Sequence, residues 1–110
     1  MSKYGNKKTQ VDGFTFDSRR EAVRYQELRL LERAGYIRDM ELQPVFELQE
    51  AFTSENKRVQ AITYRGDFAY VDTKDGVKVV EDSKGYRTKD YILKMKLFLK
   101  KYPDIRFREV

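Results

Sequence analysis

This 110-residue chain predicts an α/β domain of the α+β kind, a mixed sheet flanked by helices. Three observations carry that expectation. Ser18 opens a run with apolar residues at helical spacing; Asp75-Gly76 separates two short apolar runs; and Pro103 stops a second helical run just before the alternating segment Ile105–Val110.

Taken in order, residues 1–10 (MSKYGNKKTQ) are polar, basic and unpatterned, and read as a flexible basic arm. Residues 11–110 suit a single domain with one core. Val11–Phe16 reads as a short strand or turn. Ser18-x-x-Glu21 is a capping-box pattern, and Ala22, Tyr25, Leu28 and Leu31 continue a helix to about Ala34, with Gly35 as its stop. Ile37–Leu42 and Val45–Leu48 flank Gln43-Pro44, and the alternation in Val45-Phe46-Glu47-Leu48 supports a strand. Ala51–Lys57 reads as a loop. Arg58–Tyr64 resumes as a strand, Gly66 interrupts it, and Asp67–Val71 continues. The Asp75-Gly76 turn then makes Val77–Asp82 the antiparallel neighbour of that strand. A basic helix from Thr88 to about Tyr102 follows, with Tyr91, Leu93, Leu97 and Phe98 as its apolar positions. The order is helix, three or so strands, helix, strand.

Composition narrows the chemistry. Lys and Arg number 23 against 18 Asp and Glu, a net charge of +5 that favours an anionic partner such as nucleic acid. Cysteine and histidine are absent, which excludes disulfides, thiol nucleophiles, Cys- or His-based zinc sites and Ser-His-Asp catalysis. A metal would be a hard ion held by oxygen, Mg²⁺ or Mn²⁺. No apolar stretch approaches membrane-span length and no signal peptide is visible, so a cytoplasmic protein with no membrane partner is expected.

The segment KVVEDSKG (78–85) is where the pattern becomes chemical. An apolar strand runs directly into Glu81, Asp82 and Lys84. Ionisable groups at a core edge are costly unless something pairs with them. On a strand, Asp82 and Lys84 share one face while Glu81 and Ser83 share the other. Counting back from the turn brings Asp67 and Asp82 to the same end of the hairpin. Two converging carboxylates repel unless a cation lies between them. Mg²⁺ is commonly held by one or two carboxylates plus waters and substrate phosphate, and a lysine on the same face could orient a water or stabilise phosphate charge. Phosphodiester hydrolysis uses these parts.

Asp67 followed by Asp82-Ser83-Lys84 resembles the metal site of the PD-(D/E)xK nuclease superfamily, with Gly66 where that family often has proline. The expected order also resembles its restriction-endonuclease-like αβββαβ core. Four stretches (KYGNKKTQVDGFTFDSRREAVRYQELRLLERAG, LQPVFEL, YRGDFAYVD and VVEDSKG) resemble a family of small, mostly phage and prophage proteins placed in that superfamily. The resemblance implies Asp67 and Asp82 as metal ligands and Lys84 as the catalytic lysine. It also implies Glu21 as a further metal ligand and Gln43 in a supporting role. Glu21 carries an alternative, since an N3 glutamate in a capping box needs no catalytic part. Glu81 would compete with Asp82 only if a bulge shifted the register.

The expectation is therefore a metal-dependent DNA endonuclease, structure-selective rather than sequence-reading at this size, and a homodimer because a duplex has two strands to cut. Arg87, Lys89, Lys94 and Lys96 are candidate phosphate contacts. Tyr64, Tyr70 and Tyr91 read as core or sheet residues. The alternative is a non-catalytic DNA-binding module on a nuclease-like fold.

Overall fold

A computed structural model describes residues 7–83 and 87–110. Along the chain, strands β1 (Thr9–Val11) and β2 (Phe14–Phe16) form a hairpin ahead of helix α1 (Arg19–Arg33). Strands β3 (Ile37–Leu42), β4 (Val45–Gln49), β5 (Phe52–Ser54), β6 (Lys57–Val59), β7 (Ile62–Arg65), β8 (Phe68–Asp72) and β9 (Lys78–Asp82) follow. Helix α2 (Lys89–Lys101) and strand β10 (Arg106–Glu109) complete the order.

The centre is a four-stranded sheet in the order β10-β9-β8-β3. β3, β8 and β9 are antiparallel neighbours, whereas β10 runs parallel to β9, so the sheet is mixed. A parallel neighbour needs a crossover, and α2 supplies it. Setting aside the β1–β2 hairpin and β4–β7, the chain reads α1-β3-β8-β9-α2-β10, the expected αβββαβ order in an α+β fold.

β9 explains the architecture. Its residues are buried on both faces, which is why it reads as an apolar run rather than an alternating one. Val79 faces the cluster under α1, with Phe16, Tyr25, Leu28 and Phe68. Val80 faces the cluster under α2, with Phe46, Tyr64, Tyr91 and Phe98. Leu28, Phe68 and Phe98 are fully buried, and each such side chain contributes about 1.5–3 kcal/mol. α1 begins as expected: Ser18 Oγ accepts from the Glu21 N–H at 3.1 Å. Gly35, at φ +84°, takes the left-handed turn that ends the helix.

Three expectations are corrected. Thr9 and Gln10, assigned to the arm, pair with Phe16 and Thr15; residues 1–6 lie outside the described residues. Ala51–Lys57 is not a plain loop: β5 and β6 form a hairpin through Glu55 and Asn56, both left-handed at φ +47° and +65°. Positive φ at both central residues is the type I′ arrangement, and without a glycine its sequence signal is weak. Arg58–Tyr64 is accordingly two strands, β6 pairing with β5 and β7 with β4.

Candidate functional site

The β8–β9 register runs without a bulge, Phe68 opposite Glu81 and Ala69 opposite Val80. One further step sets Asp67 opposite Asp82, and the Asp67 N–H donates to the Glu81 carbonyl at 2.9 Å. Alternation from Ala69 and Val80 puts both aspartates on the α2 face. Ser83 fixes the first of them, its N–H and hydroxyl both donating to Asp67 Oδ2, at 2.6 and 2.8 Å. Among the described residues Asp67 Oδ1 accepts no hydrogen bond. Asp82 is fully buried and accepts from the Tyr64 hydroxyl at 2.5 Å. Burial raises the Tyr64 pKa, and its bond to Asp82 and the charges of Asp82 and Asp67 push it the same way.

The segment that delivers Asp67 is held by main-chain bonds. Gln43 N–H donates to the Asp67 carbonyl at 2.9 Å, and Gly66 N–H donates to the Pro44 carbonyl at 3.0 Å. Gln43 sits in the left-handed region at φ +50°. Gly66 also has a physical reason to depart from proline. A Cβ there would lie 2.9 Å from Val80 Cγ1 and 3.4 Å from the Glu81 carbonyl, and proline would lose the N–H to Pro44.

Glu81 points the other way. Arg24 grips it with both prongs, Nε to Oε1 at 2.7 Å and Nη2 to Oε2 at 2.6 Å, and the Tyr70 hydroxyl donates to the same Oε2. The bond to Glu81 holds the Arg24 pKa above its ordinary value, while burial, followed by the bond to Glu81, pushes Tyr70 up to about 12. With its carboxylate engaged on the α1 face, Glu81 does not compete with Asp82.

The parallel strand adds a residue that the sequence reading missed. Glu109 is the β10 partner of Asp82, accepts from Tyr91 Oη at 2.9 Å, and pairs with Arg87. Burial, then the bond to Glu109, raises the Tyr91 pKa. The tyrosines are core residues, as expected, but Tyr64, Tyr70 and Tyr91 each also cap a carboxylate at the sheet end. Only the crossover pairing could have revealed Glu109, because nothing local marks it.

The other candidates are dispersed. Glu21 is buried in the first turn of α1, where its N–H donates to Ser18 Oγ. Among the described residues no three acidic side chains form a group that could hold a metal, so the expected set of Glu21, Asp67 and Asp82 is not assembled. The pair itself fits a hard cation, since Mg²⁺ takes one or two carboxylates and keeps its waters. Lys84 lies outside the described residues. Arg87 is exposed but engaged with Glu109, and Lys89 and Lys96 are exposed. Lys94 is half-buried; two residues from Lys96, it points roughly 200° away around the helix, so the two cannot share one phosphate.

Compared with known proteins, residues 1–110 match the family described as "Protein of unknown function (DUF1064)". The chain belongs to this family. No curated protein and no solved structure matches it. Among the described residues of this DUF1064 chain, no helix is long and apolar enough to cross a membrane.

Proposed function

We propose that this DUF1064 protein is a metal-dependent DNA endonuclease of phage or prophage DNA metabolism. It would hydrolyse phosphodiester bonds in the host cytoplasm, select branched or recombination-intermediate DNA by structure, and work as a homodimer with two sites. The observation that carries the reading is the cross-strand pair Asp67–Asp82 at the end of a doubly buried hairpin, one carboxylate oriented by Ser83 and keeping an oxygen without a hydrogen bond among the described residues. Asp67 and Asp82 would hold Mg²⁺ or Mn²⁺, which when bound lowers the pKa of a water and offsets phosphate charge. Lys84 is assigned to orient the attacking water. Gln43 and Pro44 hold Asp67 in place through the main chain. Glu21 would be the further ligand that the resemblance implies, with the helix start as its alternative part.

The test is cleavage of labelled duplex, single-stranded and four-way-junction DNA with Mg²⁺, Mn²⁺ or EDTA, beside Lys84→Ala, Asp67→Asn and Asp82→Asn. Metal-dependent cleavage lost in all three variants is expected. Unchanged cleavage by Asp82→Asn would overturn the assignment. Light scattering after size exclusion tests the dimer.

The complete burial of Asp82 beneath Tyr64 favours a second reading, a non-catalytic DNA-binding module in which Asp82 is structural. That module binds DNA in a salt-sensitive way through groups such as Lys89 and Lys96, turns nothing over with any metal, and is indifferent to Lys84→Met beyond a small charge effect.

A further inference from the structure

A cleft of about 480 Å³ opens between the first two turns of α1 and the end of the central sheet. Its chemistry is mixed. Val23 and Val110 give it an apolar floor, and Val23 is 46% exposed, an unusual position for a valine with arginines three and four residues before it. Arg19, Arg20 and Arg24 give it a cationic wall. Arg24 is compensated twice, by Glu81 behind it and by Glu27 on the rim at 3.1 Å. Arg20 donates to the Val110 main-chain oxygen at 2.6 Å, while Arg19 is in no ion pair among the described residues. Ser83 closes the end nearest Asp67, to which it is bonded.

Size and chemistry together select the occupant. A volume in the range of about 300–1,000 Å³ encloses one small ligand, not a double helix. An apolar floor beside guanidinium planes suits the face of a nucleobase, and an uncompensated arginine at the rim suits its phosphate. We propose that the cleft takes one unpaired nucleotide of the bound strand, its base against Val23 and Val110 and its phosphate at Arg19 and Arg20. This rests on the nucleic-acid reading above and adds the substrate class: DNA with an overhang, flap or branch that presents an unpaired nucleotide beside Asp67.

Fluorescence anisotropy in EDTA, with a blunt duplex and the same duplex carrying a short single-stranded overhang, tests it without turnover. The overhang is expected to tighten binding about tenfold or more. Val23→Glu, and the milder Val23→Thr, should remove most of that advantage, and Arg19→Ala should lower the salt slope by about one. Circular dichroism confirms that each variant is folded. Equal binding of the two duplexes, or an overhang advantage untouched in both Val23 variants, would overturn the proposal. Cleavage assayed on the same substrates separates the two readings. Metal-dependent cleavage without overhang preference removes the cleft and keeps the nuclease. Overhang-dependent binding with no cleavage keeps the cleft and removes the nuclease. No binding to any DNA removes both.

Discussion

Replacing Arg24 by alanine should strongly destabilise this protein, although Arg24 is a partly exposed helix residue. The reason is Glu81, whose side chain is fully buried while that of Arg24 is 25% exposed. Truncating Arg24 removes two charge-assisted bonds and, among the described residues, leaves the carboxylate held only by Tyr70. Stranding a buried charge costs about 3–5 kcal/mol, and water reaching the partly exposed side of the pair favours the lower end, about 3 kcal/mol. A domain with about 5–15 kcal/mol in total loses between a fifth and a little over half of its stability. Glu81→Gln should cost only about 1–2 kcal/mol, because Arg24 is left near solvent with Glu27 as a partner. Arg24→Met with Glu81→Leu should recover most of the loss, since an apolar pair of similar volume replaces the ionic one. Urea unfolding of the four proteins, followed by circular dichroism, measures the coupling. If Arg24→Ala lies within about 1 kcal/mol of wild type and the double variant is additive, the ion pair does not clamp α1 to the sheet.

Three further outcomes follow from the same geometry. Tyr70, raised from 10.0 to about 12, contributes stability that is full below pH 10 and lost as the pH rises toward 12, because the unfolded chain releases the proton first. That loss is about 3 kcal/mol; Tyr64 and Tyr91 act in the same direction, and urea titrations across this window should show Tyr70→Phe flattening the fall. Gly66→Ala should cost about 1–3 kcal/mol through the clash with Val80, partly recovered by Val80→Ala, and Gly66→Pro about 1 kcal/mol more through the lost bond to Pro44, all measured by thermal melts. Gln43→Gly should leave stability within about 0.5 kcal/mol or raise it, whereas Gln43→Pro, with φ fixed at the wrong sign and no N–H for Asp67, should cost about 3 kcal/mol or more.

The parts of this fold that were legible in the sequence are those fixed by local chemistry. The Ser18 cap and the Gly35 stop set the first helix, Pro103 set the end of the second, and the Asp75-Gly76 turn set the β8–β9 register closely enough to bring Asp67 opposite Asp82. What was not legible depends on partners far apart in the chain. Arg24 and Glu81 are 57 residues apart, and only the docking of α1 brings them together. Glu109 joins the site through a parallel crossover, a pairing that leaves no turn signal. The β5–β6 hairpin was hidden for a local reason, a left-handed turn built from Glu55 and Asn56 without glycine.

The consecutive acids Glu81 and Asp82 divide the sheet end between two tasks. Strand alternation sends them to opposite faces, so one carboxylate can be committed to holding α1 while the other stays beside Asp67. A single acid could not do both, because the bidentate grip of Arg24 and the Tyr70 hydroxyl already occupy the oxygens of Glu81. The clamp also ties the arginine-walled start of α1 to the strand that carries Asp82 and Ser83. The cleft and the aspartate pair therefore meet at one hairpin end, joined through Ser83, which lines the first and bonds to the second. A doubly buried strand can therefore end in two charges because both are engaged, Glu81 by Arg24 and Tyr70 and Asp82 by Tyr64.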